Sequence, residues 1–134
     1  MEASGLVLFG DMDGLKTIND NYGHDAGDRA IKAEAEILSK CFRASDVIGR
    51  LGGDEFAIVA SGMGMDKLND IKEQIEAECK IWKAEAQSPF NLSISLGAVP
   101  FNKDEFVLEN LIAKADSEQY ADKRLRHSAR KNNF

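Results

Sequence analysis

Leu6-Val7-Leu8-Phe9-Gly10-Asp11-Met12-Asp13 and, forty residues on, Val47-Ile48-Gly49-Arg50-Leu51-Gly52-Gly53-Asp54-Glu55-Phe56-Ala57-Ile58-Val59-Ala60 are the stretches whose reading decides the fold. The first is a short apolar run that gives way to acids, the pattern of a buried strand whose carboxyl end meets a polar site. The second holds two strand-like runs, Val47 to Leu51 and Phe56 to Ala60, on either side of Gly52-Gly53-Asp54-Glu55. Paired glycines supply the positive φ that a tight turn needs, so these runs read as a hairpin.

Helical periods surround these strands. From Asp28 to Arg43 the apolar positions Ile31, Ala35, Leu38 and Phe42 step by four, three and four, with Lys32, Glu36 and Lys40 opposite, which predicts an amphipathic helix. Leu68, Ile71, Ile75, Cys79, Trp82 and Ala86 mark the longest helix, bounded by Gly64 and Pro89. Leu92, Ile94, Leu96 and Ala98 alternate with Ser93, Ser95 and Gly97, the period of a strand. Leu108, Leu111, Ile112 and Ala115 open a last helix that runs toward a basic end. The order strand, helix, hairpin, helix, strand, helix predicts an α+β domain, with a mostly antiparallel, ferredoxin-like sheet flanked by helices.

At 134 residues the chain suits one domain, and 43% hydrophobic with 30% charged residues is ordinary globular composition. The longest unbroken apolar stretches, Leu6 to Phe9 and Phe56 to Ala60, are far short of the roughly 20 residues that span a bilayer. No membrane contact is expected. The first residues lack a positive region followed by an apolar one, which makes a cytoplasmic address the expectation. Cys41 and Cys79 fall in helical stretches without metal-ligand spacing and read as reduced core thiols. A net charge of −6 argues against a nucleic-acid surface, although Lys123, Arg124, Arg126, Arg130 and Lys131 crowd the end of the chain. That cluster suits a helix C-terminus or a phosphate.

The chemistry lies in two acidic elements, Asp11-Met12-Asp13 and Asp54-Glu55. If the hairpin pairs beside the first strand, their carboxylates converge, and clustered carboxylates repel unless a cation neutralises them. Mg²⁺, completed by water and substrate phosphates, is the natural occupant. Acids in turns are otherwise ordinary solvated residues, and a lone Asp-x-Asp carries little weight.

The run Asp11-Met12-Asp13-Gly14-Leu15-Lys16-Thr17-Ile18-Asn19-Asp20-Asn21-Tyr22-Gly23-His24-Asp25-Ala26-Gly27-Asp28, followed by Arg50-Leu51-Gly52-Gly53-Asp54-Glu55-Phe56, resembles the GGDEF domain of diguanylate cyclases. Ser95-Leu96-Gly97, Ala115-Asp116, Tyr120 and Lys123 extend the resemblance over nearly the full chain. It implies a palm-like fold akin to adenylyl cyclases and some polymerases. It also implies a reaction that joins two GTP molecules into cyclic di-GMP and releases two pyrophosphates.

Position by position, the resemblance makes Asp11 and Asp54 the ligands of Mg²⁺ (or Mn²⁺), with the Met12 carbonyl and Glu55 beside them. Asp54 or Glu55 would take the proton of the 3′-hydroxyl, and the resemblance leaves open which. Gly14 and Leu15 would offer backbone N–H groups to the terminal phosphates, and Lys16 and Lys123 would face phosphate, although Lys16 equally suits a surface lysine. Asn19 and Asp28 match guanine readers. The Asp28 carboxylate can accept from guanine N1–H and the 2-amino group, which adenine does not present. His24 lies near that pocket in the family, or braces the turn. Arg43 and Asp46 stand at the spacing of the family's product-inhibition site, where an arginine fork takes guanine O6 and N7; their plainer reading is a helix-end arginine and a strand-entry aspartate.

Several positions depart from the family pattern. The first strand begins within a few residues of Met1, which reads as an excised or trimmed domain. His127 stands where many relatives have an arginine, so Arg126 or Arg124 would substitute. Asp122 replaces a usual alanine and Gln119 a usual apolar residue, so the packing of the last helix should differ. Each GGDEF domain carries half an active site, which implies a second GGDEF domain as partner and an attached sensory or receiver domain in the parent protein. The isolated chain is expected to be largely monomeric and weakly active. The alternative is a module that binds GTP or cyclic di-GMP and regulates a partner without turnover.

Overall fold

The first apolar run becomes β1 (Ser4–Met12), which is paired on both sides. β3 (Glu55–Ser61) runs antiparallel to it from Gly5↔Ser61 to Gly10↔Phe56. β4 (Ile94–Asn102) runs antiparallel on the other side, from Ser4↔Asn102 to Met12↔Ile94. β2 (Val47–Gly52) joins β3 through the predicted hairpin, giving the order β2-β3-β1-β4. The computed structural model describes residues 4–132, with side-chain surroundings through Leu125. Its helices are α1 (Leu15–Tyr22), α2 (His24–Cys41), α3 (Leu68–Ala86) and α4 (Leu108–Asn132). This is the α+β, antiparallel arrangement that the element order predicts.

The central strands are covered on both faces, whereas β2 is largely exposed. Leu6, Leu8 and Met12 cluster with Phe56, Ile58 and Leu96 of the neighbouring strands, and with Ala30 and Ile37 of α2 and Ile75 of α3. Val7 and Phe101 gather instead with Leu111 of α4, and Val59, Val99 and Ile112 pack beside them. Residues two apart on a strand share a face, so Asp11 follows Val7 and Phe9 onto the α4 side. That parity sets which helix can reach the Asp11 carboxylate.

α3 spans the residues its period predicts but, at 19 residues, is shorter than α4 at 25 and so is not the longest helix; the first long helix also differs. α2 begins at His24, four residues before the expected Asp28; the expected Leu38 and Phe42 are buried, and Ala26, Gly27, Ala30, Ala33, Glu34 and Ile37 are buried beside them. Ile31 and Ala35 are only half-buried. Small alanines let the helix lie close to the sheet, but they add little to an apolar stripe, so the larger Ile31 draws the expected face to one side. α1 is an additional helix that the sequence reading passes over. Ile18 is its one fully buried residue, too little to show a period.

α4 settles on the sheet over Gly97. A Cβ there would stand 2.1 Å from the Gln119 amide nitrogen and 2.2 Å from the Ala115 carbonyl oxygen, both backbone atoms that cannot rotate away. Asp122 fixes the same helix from its next turn. Its carboxylate accepts the outward Leu96 N–H of β4 at 3.1 Å and pairs with Lys72 of α3 at 3.2 Å. Gly97→Ala should therefore push α4 off β4 and lower stability by about 1–3 kcal/mol, the usual penalty of overpacking. Urea denaturation measures it, and an unchanged midpoint would contradict this close approach.

Candidate functional site

The glycine bend is what brings the acids together. Gly53 adopts φ 48, and the β2–β3 register shifts between Arg50 and Gly52, which turns Asp54 toward the end of β1. Asp54 Oδ2 accepts the Met12 backbone N–H at 3.1 Å, a contact across 42 positions. Asp11, one residue away, is half-buried. Burial raises its carboxyl above the usual range, the charges of Asp54 and Asp13 push it further, and Lys123 opposes them.

Counter-charges and donors arrive from β4 and α4. Asp13 accepts hydrogen bonds from the Ser93 and Ser95 hydroxyls, both at 2.7 Å. The Lys123 ammonium stands 2.9 Å from Asp11 Oδ1 and 3.8 Å from Asp13 Oδ1. Burial pulls that ammonium's pKa down, but Asp11, Asp13 and Asp54 outweigh it and hold the pKa above its ordinary value. The Gln119 side-chain amide, 2% exposed, donates to the same Asp11 oxygen. Among the described residues, no three His, Cys, Asp or Glu side chains are gathered so as to hold a metal ion by themselves. A divalent cation on Asp11 and Asp54 would need backbone carbonyl, water or phosphate oxygens to complete its shell. That mixture is the usual surrounding of Mg²⁺, so the donor set fits.

One acid near this cluster escaped the sequence reading. Glu34 of α2 is 0% exposed, and among the described residues neither carboxyl oxygen has a hydrogen-bond partner. Its pKa is pushed up to about 9, first by burial and then by the charges of Asp54 and Asp11, with Arg50 offsetting part of the effect. The available signal was spacing, since Glu34 lies four residues from both Ala30 and Leu38 on the buried side of α2.

The remaining candidates are distributed over α1, α2 and the hairpin. Gly14 precedes α1 in the left-handed region, at φ 73, and no side chain caps the first turn that Leu15 begins. Lys16 is exposed in that turn. Asn19 packs its amide against Gly27, where a Cβ would lie 1.8 Å from its Oδ1, so it sits beside the residue preceding Asp28. Asp28 and Arg50 line an open cleft of about 560 Å³ between α2 and the hairpin, floored by Ile31 and Phe56. His24 is the exposed first residue of α2 rather than part of a loop. Glu55 begins β3 with an exposed side chain, and among the described residues no hydrogen bond or ion pair joins it to Asp11 or Asp54. Arg43, just past α2, grips Asp46 with Nη2 at 2.8 Å and donates to the Ser61 carbonyl at 2.7 Å. The Arg126 side chain lies outside the described ones, as does that of His127.

Residues 2–129 match the family described as diguanylate cyclase, GGDEF domain. The chain belongs to the GGDEF family. The probable diguanylate cyclase DgcC of Escherichia coli is 35% identical over 123 residues, covering 92% of this chain and 33% of that protein. Diguanylate cyclase A of Treponema denticola is 31% identical over 135 residues, covering 96% of this chain and 36% of that one. This GGDEF chain thus spans about a third of the length of the curated relatives it matches. Among solved structures, the isolated GGDEF domain of TpbB (YfiN) from Pseudomonas aeruginosa is 32% identical, with a TM-score of 0.77 over 92% of this chain and 73% of that one. The GGDEF domain of DgcB from Caulobacter crescentus, solved with cyclic di-GMP, shares the fold at a TM-score of 0.78 and 23% identity, over 90% and 72% of the two chains. No helix among the described residues is long and apolar enough to cross a membrane.

Glu34 gives this GGDEF domain a pH signature. With a pKa about 9 in the folded chain against 4.5 ordinarily, the folded state keeps a proton that the unfolded state loses between those values. Stability should therefore fall as pH rises through that window. Glu34→Leu should be more stable than the unmutated chain at pH about 8 and should show a flatter profile. Urea unfolding across the window tests this; parallel profiles would contradict it.

Proposed function

We propose that this domain is one half-site of a diguanylate cyclase, in which the 3′-hydroxyl of one GTP attacks the α-phosphorus of another held by a second GGDEF domain. The new bond is O3′–Pα, and the bond from Pα to the bridging oxygen of pyrophosphate breaks. Repeating the step in the other direction closes cyclic di-GMP. The observation that carries this reading is the meeting of Asp54 with the end of β1 beside Asp11.

Mg²⁺ or Mn²⁺ held by Asp11, Asp54 and the Met12 carbonyl would neutralise charge at the attacked phosphate. The uncapped first turn of α1, with Gly14 and Leu15 at its start, offers N–H groups to the β- and γ-phosphates. Lys16 is free of packing and can turn to the same oxygens. Lys123 now balances Asp11 and Asp13, and a cation on Asp11 would release its ammonium toward phosphate. Asn19 and Asp28 read guanine at the mouth of the cleft beside α2, with His24 on the same approach. The departing 3′-hydroxyl proton goes to Asp54 or Glu55, and Glu55, exposed at the start of β3, is the one not engaged by the Met12 amide.

Because the chemistry needs two domains face to face, turnover should depend on dimerisation, which an attached sensory or receiver domain would control. Purified chain with GTP and Mg²⁺ should give little cyclic di-GMP, and fusion to a dimerising coiled coil should raise the yield, read by chromatography. Asp54→Asn keeps an acceptor for the Met12 amide but removes the charge. It should lower turnover of the fused protein at least about 100-fold with the fold intact, the scale of losing a metal's charge stabilisation. Undiminished synthesis by that variant would sink the assignment.

Arg43 and Asp46 form the proposed site of product inhibition. In the free chain the guanidinium is engaged by Asp46 and the Ser61 carbonyl, so bound cyclic di-GMP would take over the fork and offer its guanine O6 and N7 instead. Calorimetry should show cyclic di-GMP binding that Arg43→Ala weakens at least tenfold, consistent with about 1–3 kcal/mol for a bidentate contact. Equal affinity in the variant would leave Arg43 a helix-end residue.

A further inference from the structure

Gln119 is a buried polar residue on the face that α4 turns to the sheet. Gln119 is 2% exposed, follows Ala115 by one turn, and lies where the α4 backbone comes close to Gly97. A primary amide in such a place costs stability unless it is hydrogen-bonded. Its side-chain nitrogen donates to Asp11 Oδ1. Four residues on, Lys123 reaches the same oxygen from the next turn, the spacing at which side chains stack on one helix face.

These two donors differ in kind. Lys123 is a cation with a side chain 36% exposed, so it competes with any metal for Asp11 and can swing into solvent. Gln119 is neutral and held by packing, so it can keep its hydrogen bond while a divalent cation occupies the carboxylate. We propose that Gln119 is a positioning residue of the metal site, fixing the rotation of the Asp11 carboxylate through Oδ1. The inference rests on the metal reading of Asp11 made above and adds a partner for it from α4. Carboxylate ligands are ordinarily braced by such outer hydrogen bonds, and removing one typically weakens metal affinity 10- to 100-fold.

The test is Mn²⁺ binding to the nucleotide-free chain, followed by electron paramagnetic resonance, in which free and bound Mn²⁺ are distinguished without turnover. Gln119→Met keeps a similar side-chain volume in the α4 contact but cannot donate. It should bind Mn²⁺ at least tenfold more weakly, with an unfolding midpoint no lower than that of the unmutated chain, since the buried amide is gone. Gln119→His, which retains a ring N–H donor, should recover part of the affinity. Asp11→Asn serves as the reference for loss of the site. If the unmutated chain and Asp11→Asn bind Mn²⁺ alike, the metal reading fails and the inference with it. If Asp11→Asn loses binding while Gln119→Met matches the unmutated chain within twofold, the metal reading stands and the role given to Gln119 is overturned.

Discussion

The molecule is organised around negative charge held at low solvent exposure. Asp11, Asp13 and Asp54 are each partly withdrawn from water at one end of the central strand, and the charges of Asp54 and Asp13 add to the cost of ionising Asp11. The surrounding structure answers with donors from every side. Lys123 and Gln119 come from α4, the hydroxyls of Ser93 and Ser95 from the approach to β4 and its start, and the Met12 amide from β1 itself.

Glu34 shows the other way a protein handles charge near such a cluster. Among the described residues it has no donor, so it escapes the cost of a buried anion by keeping its proton. The contrast between Glu34 and Asp11 is one of available donors, since burial raises the pKa of both.

Close backbone approaches place these groups. Gly97 lets α4 descend until Gln119 and Lys123 reach Asp11, and Gly27 lets the Asn19 amide lie against α2 next to Asp28. The two polar departures from the family pattern on α4 have different tasks. Asp122 binds the free edge of β4 and Lys72, whereas Gln119 turns inward to the acids. Neither is a packing defect.

The sequence by itself determined the strands, the hairpin, the long helices and the family, because these rest on local periods and on motifs of fixed spacing. It also singled out Asp11 and Asp54, since acids at the end of an apolar run and in a glycine bend are visible without coordinates. It did not reveal α1, whose single buried residue makes no stripe, or the alanine part of the inward face of α2, which gives a weak signal beside Leu38 and Phe42. The Gln119–Asp11 and Ser93–Asp13–Ser95 bonds could be recognised only once β1 lay between β3 and β4. Side-chain parity on a strand then decides which helix meets which carboxylate, and contacts across 80 or more positions leave no periodic trace in the chain.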